Sequence, residues 1–344
     1  MEGKCSNLTS GSTGFSSLNK FRRVKAIKRR FFIGLAALTV LLTLSCSQSK
    51  EKPAPDVPGF KLAVVGQSLI KIDPRKSWDN PYGTVEPILQ SADVCFTNFE
   101  MAVDGGSCGV PDNYTVVIGE PDLGNDRPGN TSRPHAVKSD VMEFLSSIRF
   151  NLMSLANNHA WDLGDCGVKA TITSADAYSV THAGTGTSVE EAVSPVYLTV
   201  RGLTIALVAA TTSHDERDLL LGTVNGVWTG YQEDWDRNIA AVEEAAKNAD
   251  FVIYYHHFQI DDDDVNGQSE DGHLAVGMTA KEWQYDFAKA IIDAGASLYI
   301  AHGHRGFDGI EIYKGRPLIR QLGGFAYQGL SDEMGHYDDD YAWW

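Results

Sequence analysis

"NLMSLANNHAWDLG", residues 151–164, begins as an apolar run and ends in two asparagines, a histidine and an aspartate. Its first half has the length and composition of a buried strand. Its second half gathers amide, imidazole and carboxylate groups at the strand's carboxyl end, where turn residues would suffice. Asparagine is a costly choice at a buried corner unless its carbonyl oxygen is needed. Ligands of open α/β sheets collect beyond the carboxyl ends of the strands, so the stretch predicts a strand that leads directly into a site.

Outward from this stretch the same grammar repeats. "FKLAVVG" (60–66), "VCFTN" (94–98), "FVIYY" (251–255) and "SLYIA" (297–301) read as further strands, joined by "FNLMSLA" (150–156) itself. "YLTVRGLTIALVAAT" predicts a hairpin turning at Arg201 and Gly202, and "IEIYKGRPLIRQL" another turning at Lys314 and Gly315. Helical spacing links Val141, Phe144, Leu145 and Ile148 behind a Ser139/Asp140 cap. The same spacing links Val168, Ile172 and Ala175 after Gly167, then Trp235, Ile239 and Val242, then Trp283, Phe287 and Ile291 before a stop at Gly295. Strand–helix alternation with added hairpins implies an α/β domain of mixed sheets. Two long loops, 104–134 and 259–273, are candidate lids or binding loops.

Four predicted strands run straight into residues with metal-ligand chemistry. They offer Asn98 and Glu100; Asn157, Asn158 and His159; His256 and His257; and His302 and His304. Singly, each has an ordinary explanation: "NFE" as a turn with a surface acid, "HH" as a solvated strand end, "AHGH" as a glycine turn. Four such exits can converge on one cavity, and imidazole suits Zn, Fe or Ni, so the set predicts a metal centre.

The chain has 344 residues, 43% of them hydrophobic, enough for a sizeable core. Seven bases between Lys20 and Arg30 precede the uncharged run Phe31–Leu44, which is short for a membrane span and reads as a signal-peptide core. Cys46 opens "CSQSKEKPAPDVPG", a polar stretch suited to a tether, and resembles a lipidated start, although Thr43 and Leu44 replace the usual lipobox residues. Cleavage after Ser45 by an ordinary signal peptidase is the alternative. Both imply export. The expected organisation is a leader over 1–45, a tether over 46–59, one domain over 60–330 and an acidic, aromatic tail over 331–344.

Beyond the leader, 21 bases face 44 acids, a formal charge of −23, which repels nucleic acid and anionic lipid. Of the three cysteines left in the domain, Cys108 and Cys166 read as lying in Gly-flanked loops and form the expected pair outside the cytoplasm, while Cys95, in an apolar run, reads as a buried free thiol. Within "DDDDVNGQSEDG", Asp262, Asp264, Asn266 and Gly267 open like a calcium loop, but His273 stands where a bidentate glutamate belongs, so a solvated lid is expected instead. His182, in "THAGTG", reads as structural, at a strand end near the site.

"TNFE", "ANNHAWDLGDCGV", "THAGTGTSVEEAVSP", "DAGASLYIAHGH" and "GIEIYKGRPLIRQLGGF" resemble, in order, the blocks of the CapA family of poly-γ-glutamate capsule biosynthesis proteins, over about residues 60–328. That family is similar to the calcineurin-like metallophosphatases, which implies a four-layer αββα sandwich of two mixed β-sheets. By the resemblance, Glu100, Asn158, His257 and His302 are metal ligands, with His304 an approximate substitute for a displaced histidine. His159 is the general acid or transition-state stabiliser, and Asp162 orients it or caps the next helix. Gln67, Asn98, Asn157, His256 and Arg305 are candidate substrate contacts. The implied cofactor is one or two divalent ions, with Mn, Zn, Fe and Mg all compatible. Gln67 stands where the family carries a ligand aspartate, "HHFQ" replaces His-Trp-Gly, and "QLGGF" replaces Ser-Leu-Gly-Asn-Phe. Two functions follow: an exported metal-dependent hydrolase of a phosphoester or an amide-linked envelope polymer, or a non-catalytic component that binds such a polymer.

Overall fold

The computed structural model describes residues 59–76, 82–106, 108, 135–212, 222–228, 231–259, 280–303 and 306–328. The leader, nearly all of the tether, the tail and the "DDDDVNGQSEDG" segment lie outside the described residues, as do Cys46, His304 and Arg305. No helix among the described residues is long and apolar enough to cross a membrane.

In chain order the elements are β1 (Leu62–Leu69), α1 (Glu86–Gln90), β2 (Val94–Phe99), β3 (Ala102–Val103), β4 (Ala136–Val137), α2 (Ser139–Ser147), β5 (Leu152–Ser154) and α3 (Gly164–Ala177). There follow β6 (Thr181–Ala183), α4 (Val189–Val193), β7 (Val196–Val200), β8 (Leu203–Thr212), α5 (Gln232–Asn248) and β9 (Phe251–Phe258). The last are α6 (Ala280–Asp293), β10 (Leu298–His302), β11 (Ile310–Tyr313), β12 (Arg316–Ile319) and β13 (Gly324–Tyr327).

Two main sheets result, a five-stranded one in the order β13-β1-β2-β5-β6 and a six-stranded one in the order β11-β12-β10-β9-β8-β7. The expectation of two mixed sheets holds only for the second. Every pairing in the five-stranded sheet is parallel, whereas the six-stranded sheet flanks its parallel centre with the antiparallel hairpins β7–β8 and β11–β12. The hairpins turn where the sequence places them: Arg201 and Gly202, and Lys314 and Gly315, all have positive φ, as a tight turn matched to strand twist requires.

Side-chain alternation divides the interior into three apolar layers. Phe96, Leu152, Leu207, Ile253, Tyr255 and Ile300 fill the space between the sheets. Cys95, Phe99 and Met153 face the other way, onto Val141, Leu145 and Ala175 of α2 and α3. On the far side Val208, Tyr254 and Tyr299 meet Val242, Trp283 and Phe287 of α5 and α6. Phe96 and Tyr255 touch across the sheets at 5.2 Å between ring centroids, and a fully buried aromatic of this kind contributes roughly 1.5–3 kcal/mol.

Some local expectations change. The N-cap position of α2 is Lys138, which makes no side-chain cap, and Ser139 and Asp140 lie in the first turn. Ser139 instead bonds Ser174 on α3 at 2.7 Å. Helix α3 begins at Gly164 rather than after Gly167, so Cys166 sits in its first turn and not in a loop. Cys166 nonetheless pairs with Cys108, and Cys95 is a buried free thiol, its pKa pushed up to about 11 by burial.

β1 carries a register irregularity between Val64 and Gln67, and Gly66 lies inside it. A Cβ at Gly66 would sit 1.4 Å from the backbone oxygen of Gly323, so only glycine permits this approach of β1 to the chain entering β13. Gly66→Ala is expected to lower Tm by about 3–10 °C. Gly324→Ala, whose Cβ would meet nothing within 4 Å, should leave Tm unchanged. Equal thermal shifts for the two variants would refute this account of the close approach.

Candidate metal centre

Strand parity selects which residues reach the space between the sheets. On β9, Tyr255 faces the inter-sheet core and Tyr254 faces the helices, so His257 follows Tyr255 inward. On β10, Ile300 faces inward and His302 follows it. Parallel pairing sets His302 directly beside His257. From the opposite sheet, Phe96 faces inward on β2, and two-residue steps through Asn98 bring Glu100 to the same space. The Glu100 backbone N–H donates to the Ser68 carbonyl at 3.1 Å, fixing the strand exit against β1.

Glu100, His257 and His302 each offer a ligand atom, and these atoms lie within 4.8 Å of one another, all buried. The Glu100 Oε2 lies 3.9 Å from His257 Nδ1 and 3.8 Å from His302 Nδ1, separations that suit a shared cation better than direct hydrogen bonds. Neither ring nitrogen of His257 makes a hydrogen bond of normal geometry, and the buried Oδ1 of Asn158 makes none either. Orphaned buried acceptors cost about 1–3 kcal/mol each. Burial, then the nearby His302 and His159 rings, hold His257 well below the usual imidazole range; the neutral ring is the form that ligates a metal. One buried carboxylate and two imidazoles fit a divalent first-row metal.

The asparagines expected to touch substrate are engaged with the candidate ligands and their turn. Asn98 and Asn157 are fully buried. Asn98 Nδ2 donates to Glu100 Oε2 at 3.0 Å, orienting the carboxylate. Asn157 Nδ2 donates to Asn98 Oδ1 at 3.1 Å and to the Phe99 carbonyl at 2.8 Å, while its Oδ1 accepts the His159 backbone N–H at 3.0 Å. The corner of "ANNH" is thereby tied to the exit of β2, and Asn158 is left to present its oxygen.

His256 is also corrected. One residue from His257, it must face the opposite side of β9. There its Nδ1 lies 2.6 Å from the Tyr299 hydroxyl and its Nε2 2.8 Å from the Thr212 hydroxyl, among Phe258, Trp283 and Phe287. Burial depresses its pKa to about 3. It is a core histidine with satisfied hydrogen bonds. Gln67 is buried and paired in register with Asn98, which keeps it beside the site. His182 lies 3.3 Å from Asp176 of α3, a packing contact.

His159 Nδ1 lies 3.0 Å from Asp162 Oδ2. An ionised carboxylate only accepts, so Nδ1 carries a proton and Nε2 faces the Asn158 amide at 3.3 Å. Asp162 therefore orients His159; α3 starts from Leu163 without a side-chain cap. Burial lowers the His159 proton affinity, but the Asp162 carboxylate and then Glu100 outweigh it, and the net shift is upward.

Two neighbours escaped the sequence reading. His135 stacks on His159 with ring centroids 3.7 Å apart and 19° between planes. Burial, then the charge of His159 and of Lys71, push its pKa well down. Lys71 is buried just beyond β1, and its backbone N–H donates to Gln328 Oε1 at 2.7 Å. His135 lies where an expected lid ends, and Lys71 is a single base after a strand, so neither carries a periodic signal. Only the closing of the sheets brings them to the site.

Residues 61–328 match the family described as bacterial capsule synthesis protein PGA_cap. The PGA biosynthesis protein CapA of Bacillus subtilis is 26% identical over 265 residues, 77% of this chain and 61% of that protein. The capsule biosynthesis protein CapA of Bacillus anthracis is 22% identical over 265 residues, 77% of this chain and 57% of that protein. The chain thus spans roughly three fifths of these relatives' length. Among solved structures, a phosphatase from Mycoplasma pneumoniae is similar with a TM-score of 0.42 and 12% identity, over 77% of this chain and 72% of that one. The profile match covers most of the chain, from the first strand of the parallel sheet to the last, and the protein belongs to the PGA_cap family of bacterial capsule synthesis proteins.

Proposed function

We propose that the protein is an exported, metal-dependent hydrolase of the calcineurin-like metallophosphatase type, acting on a phosphoester or an amide-linked envelope polymer during capsule formation. The observation that carries this reading is the buried meeting of Glu100, His257 and His302 from two sheets. These three would hold the ion, with Asn158 Oδ1 as a further, uncharged ligand. A divalent ion held there supplies Lewis acidity and lowers the pKa of water toward neutrality.

The chain's own groups supply the rest. Asn98 holds Glu100 in its ligating orientation. Asp162 holds Nδ1 of His159, so proton exchange with a leaving group falls to Nε2, whose contact with Asn158 is long. Substituting His257 or His302 by Ala is expected to reduce bound metal in the purified protein from about one ion per chain to below about 0.1. It should lower turnover by at least ~10²-fold. Elemental analysis and steady-state rates check this, and full metal content in both variants would refute the assignment.

A second reading, a polymer-binding component without turnover, is favoured by Gln67. An amide there supplies an oxygen but no charge, which weakens any second cation site. Gln67→Asp should raise metal content from about one toward about two ions per chain if that position borders the centre. Unchanged stoichiometry at saturating metal would remove Gln67 from the argument. Polymer binding with no turnover under any divalent metal would favour the second reading.

The export and anchoring part of the proposal rests on the basic and apolar leader followed by Cys46. With lipid on Cys46, the acidic domain would work at the membrane surface on capsule or envelope polymer. The parent chain should incorporate labelled fatty acid, and Cys46→Ser should abolish that labelling. A parent chain without label, or a variant labelled equally, would exclude a lipid at that residue.

A further inference from the structure

We infer that His135 is a positioning residue for His159, setting both the plane of its ring and the placement of the carboxylate that orients it. The inference rests on the reading of His159 as the proton carrier. It adds a residue from a separate segment of chain to the machinery.

The hydrogen bond from Nδ1 to Asp162 Oδ2, at 3.0 Å, fixes one atom of the His159 ring, and the Asn158 amide, 3.3 Å from Nε2, holds the opposite atom only loosely. Together they leave the ring able to rock about its Nδ1 bond, which would swing Nε2 through an arc. Residue 135 restrains both the ring plane and the carboxylate. Its ring lies over His159 nearly face to face, 3.7 Å between centroids and 19° between planes. Its backbone N–H donates to the same Asp162 Oδ2 at 2.6 Å, so the oxygen that holds His159 is itself held.

Residue 135 is firmly placed in turn. Its carbonyl accepts the Ala102 N–H at 2.9 Å, two residues beyond Glu100, and β4 continues from it as the parallel partner of β3. Beneath, Ala102, Cys108, Ala136 and Leu163 form a small buried cluster, and the Cys108–Cys166 disulfide joins that cluster to α3. The segment leaving the carboxylate ligand, the plate over His159 and the helix after Asp162 therefore form one connected unit. The His135 Nδ1 is buried without a hydrogen-bond partner. The ring is thus held in place by its stack on His159 and by its tethered main chain.

The test uses the full-length chain with nitrogen-15 in its histidine rings. The Nδ1–H resonance of His159, assigned by its loss in His159→Gln, should be downfield and slow to exchange in the unmodified protein. His135→Ala keeps the backbone N–H but removes the plate; the resonance is expected to broaden or vanish. His135→Phe keeps a plate and should restore it. On a chromogenic phosphodiester, His135→Ala should lower kcat about tenfold with KM within about twofold, and His135→Phe should recover most of that loss. Thermal melts of both variants confirm folding. A sharp His159 resonance in His135→Ala, or its loss in both variants, overturns the inference. Should the resonance respond as expected while no form of the protein turns over the diester, the positioning role stands and the hydrolase reading falls.

Discussion

A carboxylate from one sheet and two imidazoles from the other meet, all three buried, between the sheets. Nearly everything else in the fold is arranged around that meeting. The imidazoles are neighbours because β9 and β10 are parallel and in register, which places His302 beside His257. They face inward because two-residue alternation along each strand carries the inter-sheet direction from Tyr255 and Ile300 to the strand ends. Glu100 reaches them from the other side because the inter-sheet apolar layer holds the two sheets face to face. A carboxylate and two rings packed so closely in a low-dielectric interior are costly without a cation, and well arranged with one.

The polar groups around this centre form a graded support. Asn98 orients Glu100, Asn157 ties Asn98 to the turn that carries Asn158 and His159, and Asp162 sets the His159 ring. Each link uses hydrogen-bonding capacity that would otherwise be left unmet in the interior. The result is that two adjacent asparagines have opposite duties. Asn157 spends its amide on protein, while the Oδ1 of Asn158 is buried without a hydrogen-bond partner.

The two adjacent histidines of β9 divide in the same way, and the physical cause is simpler. Successive side chains of a strand point to opposite faces, so His256 enters the helix-facing core and His257 the centre. His256 is satisfied there by Tyr299 and Thr212. Chemistry alone does not separate the pair, because an imidazole is equally suited to a buried hydrogen-bond network and to a metal.

The longer strands, both hairpin turns, the main helices and the polar strand ends were legible in the sequence, because periodicity, turn chemistry and strand-end polarity are local; the short strands β3, β4, β6 and β13 were not. Strand-end polarity marked four groups of candidates, and the resemblance to the capsule family narrowed them to Glu100, Asn158, His257 and His302, of which Glu100, His257 and His302 meet in the structure. Tertiary structure alone decided that one sheet is wholly parallel. It set Asn98 and Asn157 to hold Glu100 and the neighbouring turn, put His256 in the helix-facing core, and brought His135 and Lys71 to the site. Those outcomes depend on which strands become neighbours and which face meets the other sheet. Such choices are made by burial of the whole core, over separations that no local pattern encodes.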